Sequence, residues 1–312
     1  MQMIQVEHLT KDYGFGRGVF DVTFGVRQGE VFGFLGPNGA GKTTTIRHIM
    51  GFSKPQEGKI TVQGRASWEC SAIIQNDMGY LPGEIAFPSN MTGNQFIDHM
   101  ARLRGISDRH MTDYLLEKFE LDPSGDLKRM SLGMKRKLAI VTAFMHDPEI
   151  LVLDEPTSGL DPIMQERFIE FILEEKKRGR TVLLSSHIFS EVDATCDRIA
   201  IIKDGVLVST IVADELRHNE DKVFKVEFEG EDEYLRFIGN TGLELSAKRP
   251  LQNQVKVIIK DENIHQFFEE MSNYHLKFIS EIKFTLEDYF MNFYDRKKSV
   301  DEGKEGMLSG MH

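Results

Sequence analysis

Two short stretches carry residue types that can handle a triphosphate. The first, Gly36-Pro37-Asn38-Gly39-Ala40-Gly41-Lys42-Thr43, fits the pattern GxxxxGK[ST]. Its glycines let successive backbone N–H groups turn inward around phosphate oxygens without Cβ clashes. A helix starting at its end points its N-terminus at the same anion. In that setting Lys42 reaches the β- and γ-phosphates and the Thr43 hydroxyl is a ligand for Mg²⁺, with Thr44 grouped among the nucleotide-binding residues. An ordinary glycine-rich turn is the competing reading, and the strand and helix that flank the loop weigh against it. The second stretch, Ile150-Leu151-Val152-Leu153-Asp154-Glu155, sets two acids behind four apolar residues. That describes a buried strand delivering carboxylates at its C-terminal edge, where ligands bind in open α/β sheets. Asp154 is then placed to hold Mg²⁺ through water, and Glu155 to polarise an attacking water. Two acids in a surface turn are the commoner fate of such a pair, but a phosphate loop in the same chain favours catalysis.

These residues need a sheet to hold them. Alternation over Ile4–Leu9 and Val19–Val26, with a turn at Gln28-Gly29, predicts an antiparallel ribbon. Val31–Leu35 is an apolar strand leading into the phosphate loop, followed by a helix ending near Gly51. The block from about Pro82 to Asp147 reads as helical. Thr92 and Gln95 have capping-box spacing there, Phe96, Ile97, Met100 and Leu103 are expected on one face, and a further helix is expected from about Ser131. Ile150–Leu153, Thr181–Ser185 and Ile199–Ile202 have the composition of buried strands, and Asp204-Gly205 marks a hairpin. Asp214–Asp221 is polar and reads as a linker. Beyond it the expected order is strand 223–228, helix 232–238, strand 243–247, strand 255–260, helix 263–273 and strand 277–283. That βαββαβ order fits the ferredoxin-like pattern. A last helix is expected from Thr285, capped through Asp288, before a flexible polar tail from Lys297 to His312.

Composition narrows the function classes. The chain has 312 residues, 40% of them hydrophobic, and a formal net charge of −11. Its length suits two domains and a sizeable core. No apolar run approaches the roughly 20 residues needed to span a bilayer, and Met1–Thr10 lacks the features of a signal peptide. No basic stripe supports nucleic-acid binding, so no nucleic acid is expected. Cys70 and Cys196 stand far apart and near no metal-ligand spacing, and are expected as reduced thiols.

With the residues that follow Asp154, the chain resembles the ABC ATPase family. Leu151–Pro162 reads LVLDEPTSGLDP, nearly a family string, which implies a loop Ser158-Gly159-Leu160-Asp161 with Asp161 at the nucleotide. His187, after TVLLSS, matches the family's switch histidine and implies a contact with the γ-phosphate. Tyr13, in KDYG, matches the aromatic that stacks on adenine. Where most members read LSGGQ this chain reads Met130-Ser131-Leu132-Gly133-Met134. The retained Ser131 and Gly133 imply a helix N-terminus that binds the γ-phosphate held by an opposite subunit. As a lone residue Ser131 reads as a helix N-cap, which is compatible with that role. A further departure follows MGYLP: the family usually has Gln, whereas this chain has Gly83 and then Glu84. Glu84 as an oxygen ligand and Glu84 as a plain surface residue are both open.

The resemblance covers about Met1 to Leu216. It implies an α/β fold: a P-loop NTPase cassette over residues 1–216, with a mixed sheet, an antiparallel ribbon and a helical subdomain over about 82–147. An accessory α+β domain follows over 222–296. The strings SLGMKRKLAI and FTLEDYFMNFYD are similar to the branch serving drug, lantibiotic and peptide exporters. The implied protein is an ATPase that uses ATP and Mg²⁺. It would power export by ATP-dependent pairing with a second copy of itself or a homologous ATPase subunit. It would sit at the cytoplasmic face of the membrane beneath a separate integral permease. Rival readings are a non-transport member, such as a translation factor, and a regulatory cassette with weak hydrolysis. Translation-factor members normally carry two phosphate loops, and here there is one. A chromosome-maintenance ATPase would need a long coiled coil between Lys42 and Asp154, and no heptads of that extent occur there.

Overall fold

The computed structural model describes residues 1–217, 221–282 and 285–291, which fall into two units, Met1–Ala213 and Asp214 onward. In the first unit, Val31–Leu35, Ile150–Asp154 and Thr181–Ser186 are buried at every position. Such near-continuous apolar runs belong to strands covered on both faces, as in a parallel sheet. They sit in a six-stranded sheet whose order is 206–212, 198–203, 31–35, 181–186, 150–154, 78–81. All neighbours are parallel except the hairpin Arg198–Lys203 and Val206–Val212. Its turn, Asp204-Gly205, has positive φ at both residues, as a two-residue hairpin with right-handed twist requires.

The parallel register decides where chemistry can occur. Leu35 pairs with Ser186, Asp154 with Ser185 and Leu81 with Leu153. The phosphate loop, the Asp154-Glu155 pair, His187 and the Pro82-Gly83 turn therefore all leave the sheet at one edge, the carboxyl ends of its strands. A second, antiparallel sheet contains the expected ribbon as Gln2–Asp12 and Gly18–Arg27. It also contains Glu57–Val62 and Arg65–Ala66, strands that sequence reading did not find. The interior between the sheets is built from residues such as Ile4, Val22, Phe24, Phe32, Phe34 and Val152. Phe24 stacks on both Phe32 and Phe34.

The block from 82 to 147 holds three helices, Gly93–Leu103, His110–Lys118 and Leu132–Phe144. Thr92 and Gln95 form the expected reciprocal capping box. The apolar face differs from expectation, because Leu103 is 67% exposed whereas Ile97 is buried. At about 100° per residue Leu103 lies roughly 120° round the helix from Ile97, so the face is centred on Ile97 and turns Leu103 outward. The polar stretch after Ala213, read as a linker, begins as a short helix, Ala213–Arg217.

In the second unit the strands Asp221–Phe228, Glu244–Arg249, Gln254–Lys260 and Leu276–Ile282 alternate with helices Glu231–Asn240 and Ile264–Met271. The sheet is antiparallel throughout, with Asp221–Phe228 between Gln254–Lys260 and Leu276–Ile282 and Glu244–Arg249 outermost. This is the arrangement of two interlocked split βαβ units. Its core is aromatic: Phe228 packs on Phe237, and Tyr274 stands edge-on to Phe237. Thr285 and Asp288 cap each other at the start of helix 286–291. Phe284, residues 292–295 of the exporter-like string and the tail from 297 to 312 lie outside the described residues. Among the described residues no helix is long and apolar enough to cross a membrane.

Candidate active site

The helix Lys42–Ile49 starts without any side-chain cap, and its N-cap, Gly41, has φ of 108°. A side chain at that φ would be strained, so glycine is the residue that lets the loop turn into the helix. An uncapped N-terminus behind a loop of glycines leaves backbone N–H groups and the positive end of the helix for an anion. Gly36, Pro37, Asn38, Gly39, Ala40, Gly41 and Thr44 occupy this loop and the first turn, as expected. The loop is braced from outside, with Gly36 N–H donating to Ser186 O at 3.3 Å and Gly205 N–H to Ala40 O at 3.1 Å.

Lys42 is buried and donates from Nζ to Gly36 O at 2.7 Å and Pro37 O at 3.2 Å. The same Nζ lies 2.9 Å from Glu155 Oε1, an ion pair by distance without the alignment of a hydrogen bond. On its other side Glu155 meets His187, with Oε2 2.5 Å from Nδ1. The carboxylate of Glu155 thus sits between the lysine of the phosphate loop and the histidine that follows the next strand. Its backbone is in the left-handed region at φ 49° and its N–H donates to Ser185 O at 3.0 Å. A non-glycine residue held at such a φ is a recurrent feature of sites whose side chain must be aimed.

Asp154 is fully buried, and both its oxygens are engaged. Thr43 Oγ1 donates to Oδ2 at 2.7 Å and Ser185 Oγ donates to Oδ1 at 2.5 Å. Its charge extends to Tyr80, whose hydroxyl is pushed up to about 12 by burial and then by Asp154. A hydroxyl beside a carboxylate, both hard oxygen donors, suits Mg²⁺, which takes few protein ligands and completes its shell with phosphate oxygens and water.

The structure brings together Lys42, Thr43, Asp154, Glu155 and His187. The other expected residues make contacts of their own, away from this group. Tyr13 is 56% exposed, with Lys11 Nζ 5.6 Å above its ring. That leaves a π face available for stacking. Ser131 caps the helix Leu132–Phe144 by accepting from Met134 N–H at 3.2 Å. Gly133 abuts Gly159 closely: a Cβ there would lie 3.2 Å from Gly159 O. Asp161 caps the helix Pro162–Lys177 by accepting from Met164 N–H. Glu84 is exposed, and the residue of that turn that meets the Asp154 carboxylate is Gly83, where a Cβ would come 3.0 Å from Asp154 Oδ2.

Three side chains that brace the site escaped sequence reading. Ser185 fixes Asp154. Glu191, nearly fully buried, accepts from Ser186 Oγ at 2.5 Å, and Ser186 Oγ also accepts from Ile188 N–H at 2.9 Å. Burial raises the Glu191 carboxyl to about 7 despite hydrogen bonds from Ser186 and Thr157. Arg136 donates to backbone oxygens of two separate loops. The SS of TVLLSS was a signal for the serines; nothing local marked Glu191 or Arg136.

Residues 19–158 match the family model described as ABC transporter. The bacitracin transport ATP-binding protein BcrA of Bacillus licheniformis is 37% identical over 225 residues, covering 70% of this chain and 73% of that protein. The linearmycin resistance ATP-binding protein LnrL of Bacillus subtilis (strain 168) is 35% identical over 212 residues, 66% of this chain and 68% of that protein. Among solved structures, an ATP binding subunit of an ABC transporter superposes with a TM-score of 0.63 at 31% identity. The match covers 69% of this chain and 92% of that one.

Proposed function

The chain belongs to the ABC transporter family of ATP-binding proteins, and on that premise we propose how its site turns ATP hydrolysis into work. It is the ATP-binding and hydrolysing subunit that powers transport. The observation that carries the residue roles is the row Lys42–Glu155–His187 lying beside the Thr43–Asp154 pair.

In this reading the phosphate loop and helix N-terminus bind the triphosphate, and Tyr13 stacks on the adenine. Lys42 exchanges loop carbonyls for the β- and γ-phosphates. Thr43 and Asp154 hold Mg²⁺, which offsets phosphate charge when bound. Glu155 accepts a proton from the attacking water, and His187 fixes the Glu155 carboxylate and meets the γ-phosphate. Ser131 and Gly133 serve the γ-phosphate of a second copy or homologous subunit. Exposed apolar Leu132 and Ile163, beside Ser131 and Asp161, support a surface that packs on another chain. ATP then acts as the bridge, and hydrolysis releases it.

The partner receiving the motion is an integral permease, with this subunit at its cytoplasmic face. The relatives named for bacitracin transport and linearmycin resistance support export of an antibiotic-like cargo. Phosphate release by the purified chain tests the site. Wild type should release phosphate only with ATP and Mg²⁺, and Lys42→Met should abolish it. Equal release from both proteins would overturn the assignment.

A further inference from the structure

Arg136 is 2% exposed, yet among the described residues no carboxylate pairs with it directly. Its three nitrogens donate instead to backbone carbonyls: Nε to Ser158 O at 2.9 Å, Nη1 to Pro82 O at 2.9 Å and Nη2 to Gly83 O at 2.7 Å. One oxygen belongs to the loop following Glu155 and two to the turn lying against Asp154. Burying a cation costs several kcal/mol unless its hydrogen bonds are well made. A planar guanidinium is the side chain whose fixed fork can serve several oxygens at once. Arg136 stands on the helix Leu132–Phe144, whose N-cap is Ser131.

We propose that Arg136 is a positioning residue for hydrolysis, clamping the Pro82-Gly83 turn against the metal-binding carboxylate and locking that turn to the Ser158 loop. This rests on the Thr43–Asp154 metal site and the role of Glu155 proposed above. The closeness of the turn matters, because Gly83 leaves no slack beyond Asp154 Oδ2. Without the clamp the turn is free to leave Asp154, and the Ser158 loop loses its tie to the helix that begins at Ser131. The charges around the guanidinium are Asp154, Glu155 and Glu191, which offset part of the cost of its burial. The clamp thus draws both loops and the helix Leu132–Phe144 into one body, so a shift of the helix moves both loops beside the metal carboxylate.

The test uses the full chain and two readouts. Arg136→Met should lower kcat roughly tenfold while KM for ATP stays within about threefold. Amide exchange should quicken in residues 82–84 and 157–160 together, with exchange in the C-terminal unit unchanged. Arg136→Lys keeps the charge but not the fork, so kcat should stay at least about threefold below wild type. Wild-type kcat in Arg136→Met or Arg136→Lys, or faster exchange in only one loop, would overturn the inference. Should Arg136→Met fail to fold, Gly83→Ala pushes a Cβ toward Asp154 with the clamp intact. It should give the same split between kcat and KM, and an unchanged kcat would overturn the proposal. Silent Arg136 variants beside an inactive Lys42→Met would sink this inference alone, whereas an active Lys42→Met would sink the site itself.

Discussion

Thr43 Oγ1 donates a 2.7 Å hydrogen bond to Asp154 Oδ2 across 111 positions of sequence. The contact joins the first turn of a helix to the last residue of a strand two places away in the sheet. Ser185 Oγ holds the other carboxylate oxygen, so the two hydroxyls between them fix the orientation of Asp154. Replacing Thr43 with Val removes the hydroxyl while nearly keeping the shape. ATP affinity measured with Mg²⁺ should fall about tenfold, and affinity without Mg²⁺ should change much less. Calorimetry at both conditions checks this; equal losses would place Thr43 outside the metal site.

His187 Nδ1 sits 2.5 Å from Glu155 Oε2. His187→Ala frees one side of the carboxylate and should lower kcat on the order of a hundredfold, with ATP binding largely kept. Steady-state phosphate release combined with nucleotide titration separates the two. A parallel loss of binding would show that His187 serves the nucleotide's ground state instead.

Glu191 makes stability depend on pH in a definite direction. Its carboxyl is raised by burial from 4.5 to about 7 in the folded chain. Between those values the folded protein holds more protons than the unfolded one, so stability falls as pH rises. The full loss is roughly 3 kcal/mol at 1.36 kcal/mol per pKa unit. Glu191→Gln has no such slope. Melting curves from pH 5 to pH 8 should show wild type losing roughly 5 °C or more relative to the variant. Curves that stay parallel would remove Glu191 as the cause.

His146 acts in the opposite sense. Burial, then the Arg104 charge, lowers its imidazole to about 4 from 6.5. Neutral Nε2 accepts from Arg104 Nη1 at 2.8 Å. The unfolded chain binds the extra proton first, so stability is lost as pH falls from 6.5 toward 4. His146→Gln should flatten that acid limb in the same melting series, and an unchanged limb would contradict the assignment.

Phe237 is fully buried between Phe228 and Tyr274 in the C-terminal unit. Phe237→Ala should cost about 3–5 kcal/mol of that unit's stability. Denaturant unfolding followed by exchange in residues 221–282 measures it, and a loss under about 1 kcal/mol would mean the aromatic cluster repacks.

The phosphate loop and Asp154-Glu155 were legible because each is a continuous string whose residue order follows from strand, loop and helix. Burial of Val31–Leu35 and Thr181–Ser186 was legible for the same reason, since unbroken apolar runs leave a strand no exposed face. Arg136 was hidden because its partners lie 22, 53 and 54 positions away and are backbone oxygens, which leave no mark on composition. Glu191 was hidden because an acid in the first turn of a short helix looks like a solvated one until the helix packs. The strand Glu57–Val62 was missed because only Ile60 and Val62 are buried, too few for a period to emerge. Leu103 misled for a local reason: spacing shows which residues share a stripe, and packing decides where the stripe is centred.

The central claim is that Glu155 activates the attacking water in a site that otherwise only binds. Its most direct measurement is the fate of ATP on Glu155→Gln, which keeps the shape and loses the base. ATP and Mg²⁺ should bind with near wild-type affinity and be recovered unhydrolysed, with turnover down at least about a hundredfold. Turnover at the wild-type rate would contradict the account.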